Sequence, residues 1–368
     1  MSRLLPERSP GVTWCAFGDG LVLHDDRRAE IHLLNASGAV VWAACDGTTH
    51  VDDLVAEVVD ATGLDASAVR DDILGCLAEL EAVGAVGRGF VPPPVVLPPA
   101  EPVGDGHPEV LLRVVDVDVH VRADHPVVLD HISSCFRWLV AEASGGPQRY
   151  AFVSGDPGGP LRVLAPGHDQ VVQGLAGLDE VLPSVVNRAV AQASRLLALH
   201  AAALRRPDGA VVVLAGASGA GKSTLAGALV GAGWDYLTDE AVGIAPDLVA
   251  VGYPKPLALD AGSRALLGLP SDPSPVADLA ALRSSAVGLA GRVGPVSAVL
   301  LPSRGPVAAG TLSEPLPAAE AVSELAGCAI GLGRVPDALG VLAALAANVP
   351  VRRLAYEGLE DGVLAASM

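Results

Sequence analysis

Aromatic residues are scarce in this chain of 368 residues, where they make up only 3% of the sequence. Hydrophobic residues as a group still reach 51%, so valine, leucine and alanine must fill the core. No internal repeat is visible along the chain. A chain of this length and apolar content is long enough to form two or three domains with well-buried cores.

Positive charge is also in short supply. The chain has 24 lysines and arginines against 42 acidic residues, which gives a formal net charge of −18. Nucleic acids and anionic membranes repel a protein of this charge, so both are disfavoured as partners. A basic peptide is compatible with it.

The sequence lacks the cysteine patterns that mark zinc ligands or a disulfide framework. Its cysteines are odd in number, scattered and without C-x-x-C spacing: Cys15, Cys45, Cys76, Cys135 and Cys328. The N-terminus MSRLLPERSPG has no apolar segment of the signal-peptide kind, and the glycine-rich run around Lys222 is unsuited to span a membrane. We therefore expect a reduced, cytoplasmic protein.

The most informative feature present is the segment VVVLAGASGAGKST at residues 211–224. It fits the phosphate-loop pattern G-x-x-x-x-G-K-[ST], with an apolar β-branched run before it and an apolar helical run after it. Glycines let such a loop wrap a phosphate with its N–H groups, and the helix dipole adds to the attraction. The expected nucleotide-binding residues are Gly216, Ala217, Ser218, Gly219, Ala220, Gly221, Lys222, Ser223 and Thr224.

Polar side chains near this motif suggest what happens to the nucleotide. Lys222 is expected to reach the β- and γ-phosphates of ATP, and the Ser223 hydroxyl to ligate Mg²⁺. Asp239 and Glu240 follow a second apolar strand, and paired acids beside a phosphate loop suit metal binding and proton abstraction. His200 lies one hairpin upstream. A structural histidine and a solvated strand end are the alternatives for these residues.

Together, His200, the segment GASGAGKST and the acidic pair resemble the HPr kinase family. The members of that family are serine kinases whose phosphate loop is unrelated in fold to that of the usual P-loop NTPases. The resemblance covers about residues 110–351 and is specific between residues 200 and 244. It implies an ATP- and Mg²⁺-dependent phosphotransferase. The implied residues are Asp239 as proton acceptor, His200 and Lys222 as further catalytic groups, and Ser223, Asp239 and Glu240 as metal ligands.

Two departures from that family are visible. Glu240 stands where the family usually has a second aspartate, and residues 251–257 (VGYPKPL) replace its Arg- and Pro-rich second signature. These departures argue against dephosphorylation and against HPr itself as the substrate. Lys255, between two prolines of this replacement segment, is expected to be a solvated loop residue.

The first ninety residues carry a second signal. Residues 29–35 predict a short strand, and residues 36–42, 51–61 and 66–83 predict helices by their apolar spacing. A strand, three short helices and a closing element are typical of a winged-helix-like module. Such modules often bind DNA, yet the third helix has four acidic residues against one arginine, the wrong sign for phosphate contacts.

The wording LLNASGAVVWAACDGTTHVDDLVAEV resembles the PqqD family of peptide-binding domains, over about residues 20–86. These domains hold the leader of a ribosomally made precursor peptide. The resemblance implies that the leader adds as a strand beside residues 31–34 and packs against the third helix. The implied peptide-binding residues are Ile31, Leu33, Leu34, Val69, Ile73 and Leu77. A fused domain with a purely structural role is the alternative.

Residues 91–102, VPPPVVLPPAEP, predict an extended, semi-rigid linker. We therefore expect a mixed α+β and α/β protein: a PqqD-like domain at 1–90, a proline-rich linker at 91–107, and an HPr kinase-like domain with a mixed sheet at 108–368. Residues 110–121 predict one strand with Asp116 and Asp118 on a solvated face, and residues 178–199 predict one long helix leading into His200.

Together the two signals predict an ATP-dependent kinase that phosphorylates a serine or threonine of a precursor peptide recruited through its leader. A second enzymatic hypothesis uses phosphoryl transfer only to activate a group for a later step. The rival is a nucleotide-gated peptide chaperone without catalysis, which presents the precursor to another modification enzyme. The acids at 239 and 240 favour an enzyme. The oligomeric state stays open, a homo-oligomer included.

Overall fold

The structure is a computed structural model, and it describes residues 3–87, 101–143, 145–271, 276–305, 307 and 313–368. Its internal contacts divide the chain into two compact units, Met1–Val96 and Leu97–Met368. Of the linker expected at 91–107, residues 91–100 lie outside the described part. None of the described helices combines the length and the apolar character that crossing a membrane requires.

The N-terminal unit consists of a three-stranded antiparallel sheet and three helices. Its elements are β1 (Val12–Phe17), β2 (Gly20–Asp25), β3 (Glu30–Leu34), α1 (Ala36–Ala44), α2 (Val51–Thr62) and α3 (Ala66–Ala82). The strand and helices expected from the sequence lie at these positions. Strand β2 is central, so β3 pairs with β2 on one side and forms an edge of the sheet.

Local capping interactions determine where these helices begin and end. The Asn35 side chain accepts a hydrogen bond from the Gly38 N–H at the start of α1. Asp65 does the same for the first turn of α3. Gly63 ends α2 with a φ of 71°, a conformation that glycine adopts at little cost. The helices thereby present their apolar residues to one core around the buried Trp42.

The second unit begins with a five-stranded sheet covered by two helices. Its elements are β4 (Glu109–Val114), β5 (Val117–Ala123), α4 (Pro126–Cys135), β6 (Gln148–Gly155), β7 (Pro160–Ala165), β8 (His168–Gln173) and α5 (Gly174–Ala193). The strand order follows the sequence, and only the β5–β6 pair is parallel. Helix α4 packs against β4 and β5, while α5 packs against β5 to β8.

Two predictions for this region were wrong. Residues 110–121 form the hairpin β4–β5, which turns at Val115 with a φ of 59°. Asp118 is fully buried, ion-paired with Arg113 and hydrogen-bonded to the N–H groups of Gly145 and Gly146, so it is not on a solvated face. The helix predicted up to residue 199 ends at residue 193, and strand β9 follows it. The sequence pattern did not separate the two elements, because a run of buried apolar residues fits either a helix or a strand.

The rest of the unit is built around a ten-stranded mixed sheet. Its strands are β9 (Leu197–Leu199), β10 (Ala201–Arg205), β11 (Val211–Ala215), β12 (Asp235–Thr238), β13 (Val242–Ile244), β14 (Val249–Gly252), β17 (Gly291–Arg304), β18 (Ser313–Pro315), β19 (Ala329–Ile330) and β20 (Val351–Tyr356). A separate pair is formed by β15 (Leu257–Ala258) and β16 (Val276–Ala277). The helices are α6 (Lys222–Gly231), α7 (Ala261–Leu266), α8 (Leu279–Leu282), α9 (Ala318–Ala326), α10 (Ala338–Asn348) and α11 (Leu359–Ser367).

Strand direction determines which chain segments meet at one edge of this sheet. Strand β10 pairs antiparallel with both β11 and β12, so β11 and β12 run the same way. Ala201, the first residue of β10, lies opposite Ala215, the last residue of β11. The start of β10 and the ends of β11 and β12 therefore share one edge.

Candidate functional site

The three polar segments predicted from the sequence meet at that edge. His200 directly precedes β10, the loop of residues 216–221 directly follows β11, and Asp239 directly follows β12. These segments lie as far as 39 positions apart in the chain, from 200 to 239, and only the pairing of the strands brings them together.

The loop has the backbone conformation that phosphate binding needs. Gly216, Gly219 and Gly221 have φ angles of 145°, 82° and 85°, a region that side-chain-bearing residues rarely enter. Gly221 is also the N-terminal cap of α6, so the loop leads directly into the positive end of a ten-residue helix. Both features make the loop suited to an anion.

Lys222 lies folded over this loop. Its ammonium donates hydrogen bonds to the carbonyl oxygens of Gly216 at 2.7 Å and Ala217 at 2.9 Å. Burial lowers the pKa of this group, while the nearby Cys328, Glu240 and Asp239 act in the opposite direction. A cation is thus held at the loop before any anion binds.

Asp239 is buried and fully engaged. Its Oδ1 accepts hydrogen bonds from the Tyr236 hydroxyl and the Lys255 ammonium, each at 2.7 Å. Its Oδ2 accepts one from the N–H of Ala258 at 3.2 Å. Protein donors thus occupy three of the roughly four lone-pair positions of this carboxylate.

Glu240 and His200 form the accessible part of the site. Glu240 has one third (33%) of its side chain exposed, and His200 has 37%. The His200 Nδ1 lies 3.9 Å from the Glu240 Oε1, in ion-pair range but beyond hydrogen-bonding distance. His200 is held in place by its own N–H, which donates to the carbonyl oxygen of Cys328 at 2.7 Å. Of the predicted acids, Glu240 is therefore the one that can meet a substrate.

The structure corrects the expectation for Lys255. Its side chain has no exposed surface (0%), and it pairs with Asp239 while its ammonium lies 3.8 Å from the Glu240 Oε2. Lys255 is thus a buried counter-ion and not the solvated loop residue that the sequence pattern predicted. The chain contains only two lysines, and both lie in this site.

Sequence reasoning missed Cys328, which lies between α9 and β19. Burial raises the pKa of its thiol, while the N–H of Gly216 and the charge of Lys222 act in the opposite direction. The residue is thus in contact with the phosphate loop. No motif surrounds it in the sequence, so only the fold reveals its position.

A cavity of about 500 Å³ adjoins the other side of the loop. Loop residues 219–221 form one wall, and Arg304 and Tyr356 lie on the wall from β17 and β20. Arg283 and Arg292 are engaged elsewhere, with the carbonyls of Gly233 and Trp234 and with Asp247 respectively. Arg304 is therefore the one of these three arginines that lies beside the loop.

In the N-terminal unit, the predicted peptide-binding residues fall into two groups. Ile31 is half-buried and Leu33 is 38% exposed on the edge strand β3, while Leu34 packs against the core of the unit. The three helix residues are buried in that core, and their part in peptide binding stays a prediction: Val69, Ile73 and Leu77. Within the described residues, β3 pairs only with β2, so its outer edge is open.

Removing one partner of the Lys255–Asp239 pair should be costly. We expect Lys255→Met to lower the free energy of unfolding by about 3–5 kcal/mol, because it leaves a buried carboxylate without its counter-charge. The double variant Lys255→Met/Asp239→Asn should recover part of that loss. Urea denaturation followed by circular dichroism measures both.

The matched control is Arg292→Met, which breaks an exposed pair with Asp247 and should cost about 0–1 kcal/mol. Similar small losses in the Lys255 and Arg292 variants would show that the buried pair contributes nothing special to stability.

Known proteins resemble both parts of the chain. Residues 20–86 match the family model for coenzyme PQQ synthesis protein D (PqqD), which confirms the resemblance found in those residues. Similar solved structures include TbiB1 in complex with the TbiA(beta) leader peptide, at 19% identity and a TM-score of 0.21, covering 23% of this chain and 99% of that one. They also include the Hpr(Ser) kinase/phosphatase from Coxiella burnetii, at 14% identity and a TM-score of 0.26, covering 46% and 92%. No curated protein matches the chain in sequence.

Proposed function

We propose that this chain is an ATP-dependent kinase that phosphorylates a serine or threonine hydroxyl of a precursor peptide recruited through its leader. One observation carries the proposal: a phosphate loop with a lysine folded over it shares a sheet edge with an accessible glutamate and histidine. Phosphoryl transfer depends mainly on positioning and charge stabilisation, and these groups supply both.

The loop fits a nucleoside triphosphate. A Cβ at Gly221 would approach the Tyr356 hydroxyl to 3.1 Å, so a larger residue would crowd the cradle that the backbone forms. Lys222 would exchange its loop carbonyls for phosphate oxygens. We place the nucleoside in the adjoining cavity, where Thr224 and Ser263 offer hydroxyls and Leu266 an apolar surface.

The oxygen donors beside the loop suit Mg²⁺, which prefers hydroxyl and carboxylate oxygens. Ser223 at the start of α6 and Glu240 at the edge of the sheet are the residues that would hold it. When bound, the metal neutralises charge on the phosphoryl group. Asp239, which the sequence also suggested as a ligand, is engaged by Lys255 and Tyr236 and acts by positioning them.

For the proton of the attacking hydroxyl, we assign Glu240 rather than Asp239. A general base needs a lone pair facing the substrate, and Glu240 is the exposed carboxylate of the two. His200 lies beside Glu240, where it would orient the substrate hydroxyl or stabilise the His200–Glu240 pair once Glu240 has taken the proton. Asp239 becomes a positioning residue, which holds Lys255 next to Glu240.

The leader would bind at the N-terminal unit. Strand β3 offers an open edge, and an added strand would gain main-chain hydrogen bonds there. The exposed Leu33 and half-buried Ile31 lie on one face of β3, where alternate side chains of the leader would meet them. Binding would raise the concentration of the core peptide near the kinase site.

A nucleotide-gated chaperone is the second candidate, and a specific observation favours it. The aspartate suggested by the sequence as the base is buried and accepts three hydrogen bonds from the protein. A buried, hydrogen-bonded aspartate is what we expect if the chain binds a nucleotide without catalysing a reaction. The precursor would then be presented to another modification enzyme. Turnover of ATP into phosphopeptide separates the two candidates.

Nucleotide binding should depend on Lys222. We expect Lys222→Ala to weaken ATP·Mg²⁺ binding about 10- to 150-fold, because it removes a charged hydrogen bond of about 1.5–3 kcal/mol. Isothermal titration measures this, with the exposed Arg292→Ala as the control. Unchanged affinity in a folded Lys222→Ala variant would remove the phosphate-loop assignment.

Turnover should depend on Glu240. We expect Glu240→Gln to slow phosphopeptide formation on the order of 10²–10⁴-fold, because the base is lost while the shape is kept. Asp239→Asn should lower stability as well as turnover, since it disturbs a buried ion pair.

Mass spectrometry of the peptide after incubation with ATP gives the rates, and titration of Mg²⁺ tells a lost base from a lost metal ligand. A Glu240→Gln variant with wild-type rates, beside an inactive but stable Asp239→Asn, would return the base to Asp239. Absence of phosphopeptide with the wild-type chain would favour the chaperone.

Leader recognition should depend on the exposed face of β3. We expect Leu33→Asp to slow phosphorylation of full-length precursor at least tenfold, because a desolvated carboxylate would oppose leader binding. A leaderless core peptide should react at the wild-type rate. The control is Leu64→Asp, which places the same charge at a 59% exposed position between α2 and α3. Equal losses on both substrates would mean that the unit merely supports the kinase.

A further inference from the structure

A second group of reactive side chains lies between the two helices that cover the five-stranded sheet, α4 and α5. These helices are separate from the strands that form the proposed phosphate site. His131 and Cys135 are four residues apart on α4, and Asp179 lies on the facing helix α5. The His131 Nε2 is 2.7 Å from the Asp179 Oδ1, and the Cys135 Sγ lies 3.6 Å from the first atom and 3.7 Å from the second. Among the described residues, no other three such side chains bring their ligand atoms so close.

The contacts do not have the pattern of a nucleophilic triad. In a triad the histidine uses one ring nitrogen for the carboxylate and the other for the nucleophile. Here the same Nε2 faces both the Asp179 oxygen and the Cys135 sulfur. The three atoms therefore converge on one point instead of forming a relay.

The dimensions of this triangle approach those of a tetrahedral zinc site. With Zn–S of about 2.3 Å and Zn–N or Zn–O of about 2.0–2.1 Å, the ligand atoms lie about 3.5–3.6 Å apart when sulfur is involved and about 3.3–3.4 Å otherwise. Both sulfur distances, 3.6 and 3.7 Å, are close to this value. Only the distance between the His131 Nε2 and the Asp179 Oδ1 has to lengthen, by about 0.6 Å, because their hydrogen bond is replaced by bonds to the metal.

We propose that His131, Cys135 and Asp179 bind a zinc ion that joins α4 to α5. A thiolate, an imidazole and a carboxylate are ligands of zinc, whereas Mg²⁺ and Ca²⁺ prefer oxygen alone. The side chains of His131 and Asp179 are 24% and 18% exposed, so a water molecule can reach the fourth position. Ligation displaces the proton that His131 shares with Asp179 and the proton of the Cys135 thiol.

No sequence motif marks this site, because the chain lacks paired cysteines of the C-x-x-C kind. A histidine and a cysteine at i and i+4 share one face of a helix, and the third ligand comes from a helix more than forty residues later. The ion would join two helices that cover the β4–β8 sheet, independently of the proposed kinase function.

The test uses the full chain, freed of metal with a chelator and titrated with Zn²⁺ or Co²⁺ alone. We expect about one equivalent of tightly bound metal, a thiolate-to-Co²⁺ charge-transfer band, and a higher melting temperature with Zn²⁺. Cys135→Ser should lose all three. Asp179→Asn, which keeps the hydrogen bond to His131, should bind at least tenfold more weakly and remain folded.

The matched controls are Cys76→Ser on α3 and Cys328→Ser beside the phosphate loop, both of which should behave as wild type. A charge-transfer band that survives in Cys135→Ser, or that disappears in Cys328→Ser, would overturn the proposal. So would a metal-free wild-type chain that takes up no Zn²⁺.

Discussion

The geometry of the candidate site depends on the buried ion pair between Lys255 and Asp239. Neither side chain has exposed surface, so both charges have lost their hydration. Such a pair is tolerated only when further hydrogen bonds satisfy it, and the Tyr236 hydroxyl and the Ala258 N–H do so. The pair connects the end of β12 to the segment before β15. Glu240, the next residue, is thereby held at the sheet edge opposite His200.

Lysines and arginines are divided between the candidate site and the surface of the protein. Only two of its 24 basic residues are lysines, and both are buried in the site. Arginines form the exposed pairs, for example Arg162 with Asp169 and Arg353 with Glu320 and Glu324. An ammonium is a compact point charge with three rotatable donors on a flexible stem, so each lysine can turn its donors toward the acceptors around it. A chain of net charge −18 thus places both of its ammonium groups at the candidate site.

The roles of the two adjacent acids show how burial divides chemistry between neighbours. Asp239 has no exposed side-chain surface, whereas one third (33%) of the Glu240 side chain is exposed. One carboxylate is therefore enclosed by protein donors, while the next is accessible to solvent. The longer glutamate side chain can follow a substrate or metal, whereas the aspartate is fixed by three donors.

Local features could be predicted from the sequence: the glycine-rich loop and the helix after it, the helices of the N-terminal unit, and the PqqD resemblance confirmed over residues 20–86. Each depends on neighbours within a few positions, such as the glycines at positive φ or the caps at Asn35 and Asp65. The sequence did not distinguish apolar residues that line a groove from those that fill a core, and the structure places Val69, Ile73 and Leu77 in the core.

Tertiary structure alone decided the partners of polar groups. Lys255 became a buried counter-ion, Cys328 came to lie against the loop, and His131, Cys135 and Asp179 met across two helices. These contacts join residues 16 to more than 100 positions apart, and strand order and helix packing set them. A motif records spacing along the chain, whereas desolvation and charge pairing depend on distances that only the folded chain defines.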